Sequence, residues 1–396
     1  MNRRFHYAVV ALSSCIVFFL LFGSTVVQSA TPQDSPYTQL GVYSDVLTKI
    51  KVEYVEEPDM KAVTMGAVNG LLESLDPFAS YLNAEQYKQY QAEHGKGKAD
   101  VGLLLARRAG YFQIVDAVPG SAADQAGLTT GDVVESINKI STRDMPLAFA
   151  ELLLQGDPGS EVELSVLTAR QTDPQTLKLK RAAIAYPGVT AKLVTDKGAA
   201  AGVITVSALL AGRSKDVAAK IQEMERAGAK RLVLDLRWCA VGPVEEGVAV
   251  ANLFMDSGLI TYTQGQKQRR QDVTAEAAKA VTKLPLIVLT NRGTAGAAEV
   301  AAAALQDSKR AALVGEPTFG DAAVRRPVTL ADGSAVILAV AKYYRANGKS
   351  IQEARVTPET LQAQYEVAAA ADDDAAAQPV RTGKDLILER SLSTSK

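Results

Sequence analysis

The chain has 396 residues, 47% hydrophobic and 22% charged, which is long enough for two or three packed domains and too apolar for wholesale disorder. Its 43 basic and 44 acidic residues leave a formal charge of -1, and no basic stripe interleaved with aromatics stands out, so nucleic-acid binding has little support. Two cysteines, Cys15 and Cys239, and two histidines, His6 and His94, argue against a disulfide framework, a histidine-based triad and a histidine-rich metal site, and no metal or cofactor is expected.

Arg3 and Arg4 precede an apolar run from Tyr7 to Val27, the n-region and h-region of an export signal. Val27-Gln28-Ser29 allows cleavage after Ser29, yet the run is also close to the length that spans a bilayer. Residues 1–30 are therefore read as a signal peptide or an inner-membrane anchor. Both readings place the remainder in the periplasm or cell envelope. Leu12-Ser13-Ser14-Cys15 has the look of a lipidation box, but most of the apolar run follows the cysteine, which argues against it.

Residues 36–97 are predicted helical: Leu40, Tyr43, Val46, Leu47, Ile50 and Tyr54 fall close to a helical period, and a second run covers Ala62 to Leu75. Asp76-Pro77 ends that run, because the residue before proline is pushed out of helical space. Residues 98–183 read as β-rich, with apolar runs at Val101–Leu105 and Val162–Val166 and one short helix at Leu147–Leu154. Residues 184–365 alternate strands (Val203–Val206, Arg231–Leu236, Leu286–Thr290) with helices (Asp216–Arg226, Ala297–Gln306), the pattern of an α/β sheet. From 366 to 396 the composition turns to Ala and Asp, a linker-like tail with a short apolar segment at Leu386–Leu392.

Several stretches carry a resemblance. Gly70-Leu71-Leu72-Glu73-Ser74-Leu75-Asp76-Pro77 and Ser80-Tyr81-Leu82 are similar to the helical N-terminal region of the C-terminal processing (tail-specific) serine peptidases. Val118-Pro119-Gly120-Ser121-Ala122-Ala123, Ala126-Gly127-Leu128 and Gly131-Asp132-Val133-Val134 resemble that family's PDZ domain. Leu234-Asp235-Leu236-Arg237 resembles the strand before its oxyanion loop. Gly315-Glu316, Thr318-Phe319-Gly320, Tyr343-Tyr344 and Gly348-Lys349-Ser350-Ile351-Gln352 continue the series in the family's order. The resemblance implies an α/β peptidase core with an inserted β-rich PDZ domain and an N-terminal helical region.

It also implies a reaction, in which a neutral lysine takes a proton from a serine that attacks a peptide carbonyl. The family's pattern around that serine is Gly-Ser-Ala-Ser-Ala-Ser-Glu, with the second serine reactive. This chain reads Gly293-Thr294-Ala295-Gly296-Ala297-Ala298-Glu299, so Gly296 stands at the nucleophile. Asp321 follows Thr318-Phe319-Gly320 where the family has its lysine, and Arg325 replaces the assisting glutamine. Glycine is a cheap N-cap, so Glu299 three residues on still predicts a capped helix start. If Asp321 to Arg325 is a strand, the two side chains share a face and pair. In the oxyanion loop Cys239-Ala240-Val241-Gly242 stands for Asn-Pro-Gly-Gly, leaving Gly242 as the one matching position. Thr294 and Cys239 are the remaining candidate nucleophiles. The plainer roles are a hydrogen bond at the helix start and a buried structural thiol, and a capping Glu299 with an ion-paired Asp321 is plainer than an acid pair.

The PDZ resemblance implies capture of peptide C-termini by strand addition, with the carboxylate on loop N–H groups. The loop is Asp100-Val101-Gly102-Leu103-Leu104, beside Leu147–Leu154 as groove wall; Asp100 stands where the family has glycine, and its charge opposes a carboxylate. A structural β-domain with a closed groove is the competing reading. The sequence therefore points to a non-catalytic envelope protein that binds polypeptide C-termini or unfolded segments, pairing with itself or with an active relative, and reaching the membrane if its N-terminus is uncleaved. The alternative is an active endopeptidase that trims exported proteins from their C-termini.

Overall fold

The computed structural model describes residues 36–93, 99–108, 110–143, 145–168, 173–196, 199–364, 366–367, 379–380 and 384–394. The export segment, His94 and most of the Ala/Asp-rich tail lie outside the described residues. The chain divides into two units, residues 1–64 and 65–396. In the first, helix α1 (Pro36–Glu53) leaves Leu40, Tyr43 and Val46 of its apolar stripe exposed, while Leu47 and Ile50 are half-buried. Helix α2 (Met60–Glu73) begins there and runs into the second unit.

The second unit continues with β1 (Ser80–Leu82) and α3 (Ala84–Glu93). An antiparallel sheet follows, made of β2 (Leu103–Arg108), β3 (Tyr111–Ala117), β4 (Val133–Ile137), β5 (Ile140–Ser141), β6 (Glu161–Leu167) and β7 (Gln175–Lys180). Its order is β2-β3-β4-β6-β7, with β5 on β4, so β2 is an edge. Helices α4 (Ala122–Gln125) and α5 (Leu147–Leu154) complete this β-domain around Phe112, Ile114, Ile137 and Leu164. The strand expected at Val101–Leu105 starts only at Leu103. Gly102 has φ +83°, which breaks the extended run, and the Asp100 carboxylate takes its N–H at 2.7 Å.

The rest is α/β. Strands β8 (Thr190–Asp196), β9 (Ala199–Thr205) and β10 (Arg231–Asp235) are joined through α6 (Arg213–Arg226) and followed by α7 (Val244–Asn252). Next come β11 (Leu259–Gln264), β12 (Gln271–Thr274), β13 (Leu286–Thr290), α8 (Ala297–Asp307) and β14 (Ala311–Gly315). Strands β15 (Ala323–Thr329) and β16 (Ala335–Tyr344), α9 (Ile351–Ala354) and β17 (Thr360–Leu361) lead toward the C-terminus. The central sheet runs β17-β14-β13-β10-β9-β8, parallel from β17 to β9 and closed by antiparallel β8. Strands from both ends of the chain meet in a second sheet, where β16 pairs with β1, β11 and β15. Helix α8 is buried from Ala297 to Leu305, and its small side chains let α7 pack on its backbone: a Cβ on Gly247 would lie 2.0 Å from the Ala297 carbonyl oxygen.

The end of the tail departs from the linker reading. Residues Leu386–Ser393 form helix α10, and Ile387 is fully buried against Val203, Val233, Ile287 and Val314. Arg237 holds Asp385 at 2.6 Å and Asp235 at 2.7 Å, tying this helix to the end of β10. An amphipathic turn too short for a clear period is fixed by the sheet it covers.

Candidate functional site

Between β13 and α8 the chain makes a sharp turn that ends on Gly296, the N-cap of α8, at φ 58° and ψ -119°. Glycine adopts that backbone freely, and any other residue is strained there. A Cβ at this position would have room, with the Asp321 and Ala240 carbonyl oxygens 3.7 and 3.9 Å away. The structure thus brings positions 296 and 321 and the candidate oxyanion loop together.

Glu299 organises the surroundings. Fully buried, it accepts the N–H groups of Gly296 (3.1 Å), Gly320 (2.8 Å) and Asp321 (2.7 Å) and the hydroxyl of Thr318. Burial pushes its carboxyl up to about 7 against the pull of the Thr318, Asp321 and Gly320 donors. Glycine lacks the side chain for a reciprocal capping box, so only the half from Glu299 to the N-cap N–H exists, and its spare acceptor capacity binds the 318–321 loop.

Asp321 and Arg325 do pair, at 2.6 Å, but not across one strand face. Strand β15 starts at Ala323, with a register shift between Val324 and Arg325, so the contact spans the turn into the strand. Arg325 also grips Asp76 with Nε and Nη2 (3.1 and 3.2 Å), and its guanidinium lies 4.3 Å from the centre of the Phe78 ring. Burial opposes the Arg325 charge, and Asp321 and Asp76 overcome it, so its pKa is raised; burial pushes the Asp321 carboxyl up. Asp76, 249 positions away from Arg325, is the partner that spacing alone does not reveal.

The remaining hydroxyl and thiol are spoken for. Thr294 is fully buried, donates to the Leu236 carbonyl at 2.9 Å and accepts the Asn291 N–H at 3.0 Å. Cys239 is a core residue whose thiol is pushed far above its ordinary value by burial, so no thiolate is available at neutral pH. In the same loop the N–H groups of Trp238 and Cys239 bond the Asn291 side chain and the Leu236 carbonyl. Gly242, at φ 136°, lies so close to Leu209 that a Cβ would sit 2.0 Å from its carbonyl oxygen. Its place here is a backbone crossing.

The β-domain loop is equally occupied. The Asp100 carboxylate acts as an internal ligand that accepts the Gly102 N–H at 2.7 Å; burial pushes its pKa up, against the pull of the Gly102, Val101 and Leu103 N–H groups. The carbonyls of Val101 and Gly102 accept from Ala123 and Val118. On the free edge of β2, the Arg107 N–H bonds the Pro77 carbonyl at 3.1 Å, and the Ser80 hydroxyl accepts the Ala148 N–H at the start of α5. Leu104 and Ala106 of β2 pack with Ala240, Ala295 and Phe319, so this domain lies directly on the turn that carries Gly296. Among the described residues, no group of His, Cys, Asp and Glu is arranged to hold a metal ion.

The sequence profile of peptidase family S41 matches residues 200–361, and that of the PDZ domain matches residues 113–168. The carboxy-terminal processing protease CtpA of Bacillus subtilis is 32% identical over 359 residues, covering 89% of this chain and 74% of that protein. This chain belongs to peptidase family S41. A carboxyl-terminal-processing protease of Synechocystis is 32% identical over 317 residues, covering 79% of the chain and 74% of the relative. Among solved structures, the photosystem II D1 C-terminal processing protease matches with a TM-score of 0.67 at 27% identity, over 81% of this chain and 86% of that one. The S41 fold with its PDZ domain and N-terminal helices is the architecture described above.

Proposed function

We propose that this S41 member is non-catalytic and serves as a polypeptide-binding or regulatory protein of the cell envelope. The observation that carries the reading is Gly296: the turn offers no side chain, and around it Glu299, Asp321, Arg325 and Asp76 are held in internal bonds. Family kinship supplies the ligand class, since relatives are named for processing carboxyl termini and the PDZ domain suits extended chain. We take residues 1–30 as the export segment or anchor, 36–97 as the helical region, 98–183 as the PDZ domain, 184–365 as the peptidase-like core and 366–396 as the tail. Val101, Gly102, Leu103 and Leu104 are proposed as the peptide-side residues of the PDZ domain, with the carboxylate held elsewhere because Asp100 fills their loop, and self-association or an active relative is proposed as protein partner. Among the described residues no helix is long and apolar enough to cross a membrane.

Incubating the purified full chain with casein, an unstructured substrate, tests the reading. No fragments should appear over hours, and the casein should be recoverable intact in complex. Cleavage that disappears in Thr294→Ala or Cys239→Ala would establish an active endopeptidase instead.

A further inference from the structure

Asp100 already fills the loop where a PDZ domain would hold a ligand carboxylate. A second place for one lies at the other end of the same edge strand. Arg108, the last residue of β2, lines a cleft of about 510 Å³ between the β-domain and the peptidase-like core, together with Arg292, Glu316, Phe319 and Arg355. Among the described residues Glu316 is the only acid in that lining, and it is engaged by Arg292 at 3.3 Å and by the Gln364 N–H at 2.9 Å. Among the described lining residues three arginines face one glutamate, in a chain whose formal charge is -1.

Neither Arg108 nor Arg355 has a carboxylate partner among the described residues. The Arg108 guanidinium sits 5.1 Å from the centre of the Phe319 ring, a cation–π contact with another residue that lines the cleft. Partial burial lowers the Arg108 pKa and the Arg355 charge lowers it further, so the Arg108 guanidinium feels a second cation nearby, which an anion would offset. Arg355 is held at φ 53°, directly after α9, a backbone that glycine takes at no cost. Each guanidinium presents a planar fork of N–H donors of the kind that grips a carboxylate, and both line this cleft.

We infer that Arg108 and Arg355 together bind a carboxylate in this cleft, supplied by the C-terminus of a bound polypeptide. The inference rests on the polypeptide-binding reading and gives it a subsite distinct from the loop closed by Asp100.

The experiment follows the Arg Nε–H signals of the full chain by NMR while N-acetyl-alanine, a minimal C-terminus, or N-acetyl-alaninamide is added. The acid should shift the Arg108 and Arg355 signals saturably and the amide should not. Arg108→Gln should weaken the acid by about tenfold, the loss expected for one charge-assisted hydrogen bond. Arg355→Gly should weaken it at least as much while leaving the Tm equal or higher, because the strained backbone relaxes. A shift that survives Arg355→Gly, or an amide that binds as well as the acid, overturns the inference. A fluorescein-labelled alanine-rich peptide, tested as free acid and as an amide ending in aspartate, separates the two sources. Equal binding of the aspartate amide overturns the C-terminal assignment. Peptide that binds with shifts at Val101–Leu104 and none at the arginines overturns the cleft but upholds polypeptide binding, whereas loss of all peptide binding with the acid still shifting both arginines overturns polypeptide binding alone.

Discussion

Around Gly296 the charged groups Glu299, Asp321, Arg325 and Asp76 each have partners inside the chain, whereas Arg108 and Arg355 line a neighbouring cleft without a carboxylate partner among the described residues. Both regions lie on the seam between the β-domain and the peptidase-like core, joined through Phe319. The first has its hydrogen-bonding capacity spent on holding the fold, which is how a structural polar network behaves. In the second, Glu316 is engaged by Arg292 and Gln364, while Arg108 and Arg355 have no carboxylate partner among the described residues. Kinship to a peptidase family therefore says where chemistry would be housed, and partner-counting says whether anything is left to perform it.

The sharpest way to break this contrast is Glu299→Ala. It would strand three N–H groups and the Thr318 hydroxyl in a dry interior, and the expected loss of about 3–5 kcal/mol is readable by urea unfolding. Next comes pH. With its folded pKa near 7, Glu299 binds its proton more tightly folded than unfolded, so its contribution is full below the ordinary carboxyl range and fades as pH rises through about 7. The Tm should be higher at pH 5 than at pH 8, the shift at Glu299 alone corresponding to about 3 kcal/mol, and Glu299→Gln should flatten the profile. Asp116, pushed up to about 7 by burial, acts in the same direction.

Arg325→Ala should cost less, about 2–3 kcal/mol by thermal unfolding, since it leaves Asp76 unpaired but sits where the side chain is 19% exposed. If Asp321→Ala and Arg325→Ala both leave stability unchanged, the ion triad is ornamental and the contrast fails. The smallest effect belongs to Gly296→Ser. The side chain has room, so the cost is mainly the strained backbone, about 1 kcal/mol in Tm-derived stability, and with no neighbouring base the variant should stay inert toward casein.

Much of the scaffold was legible in the sequence, for local reasons. Leu147–Leu154 and Leu286–Thr290 carry dense apolar patterns and come out with those bounds. Strand β9 was harder, because Ala199-Ala200-Ala201-Gly202 lacks the β-branched residues that announce a strand; Gly202 is there because a Cβ would lie 2.7 Å from the Met224 side chain. The sequence suggested that Asp321 and Arg325 pair, but on one strand face, whereas they meet across the turn into β15. Asp76 beneath them was not legible, since it arrives from the other end of the chain, nor was Asp100 as the filler of its own loop, since a side chain turning back on its backbone leaves no periodic trace. The Arg108–Arg355 cleft was invisible for the same reason: one residue ends a β-domain strand and the other follows a short helix near residue 354.

The central claim, that the peptidase site has no working nucleophile, is tested most directly by exposing the full chain to a serine-reactive fluorophosphonate probe and mapping adducts by mass spectrometry. The expected result is no adduct in the native protein, at Thr294 or anywhere in residues 291–325. A stoichiometric adduct on a residue of that segment, formed only in the folded protein and accompanied by casein cleavage, would contradict it.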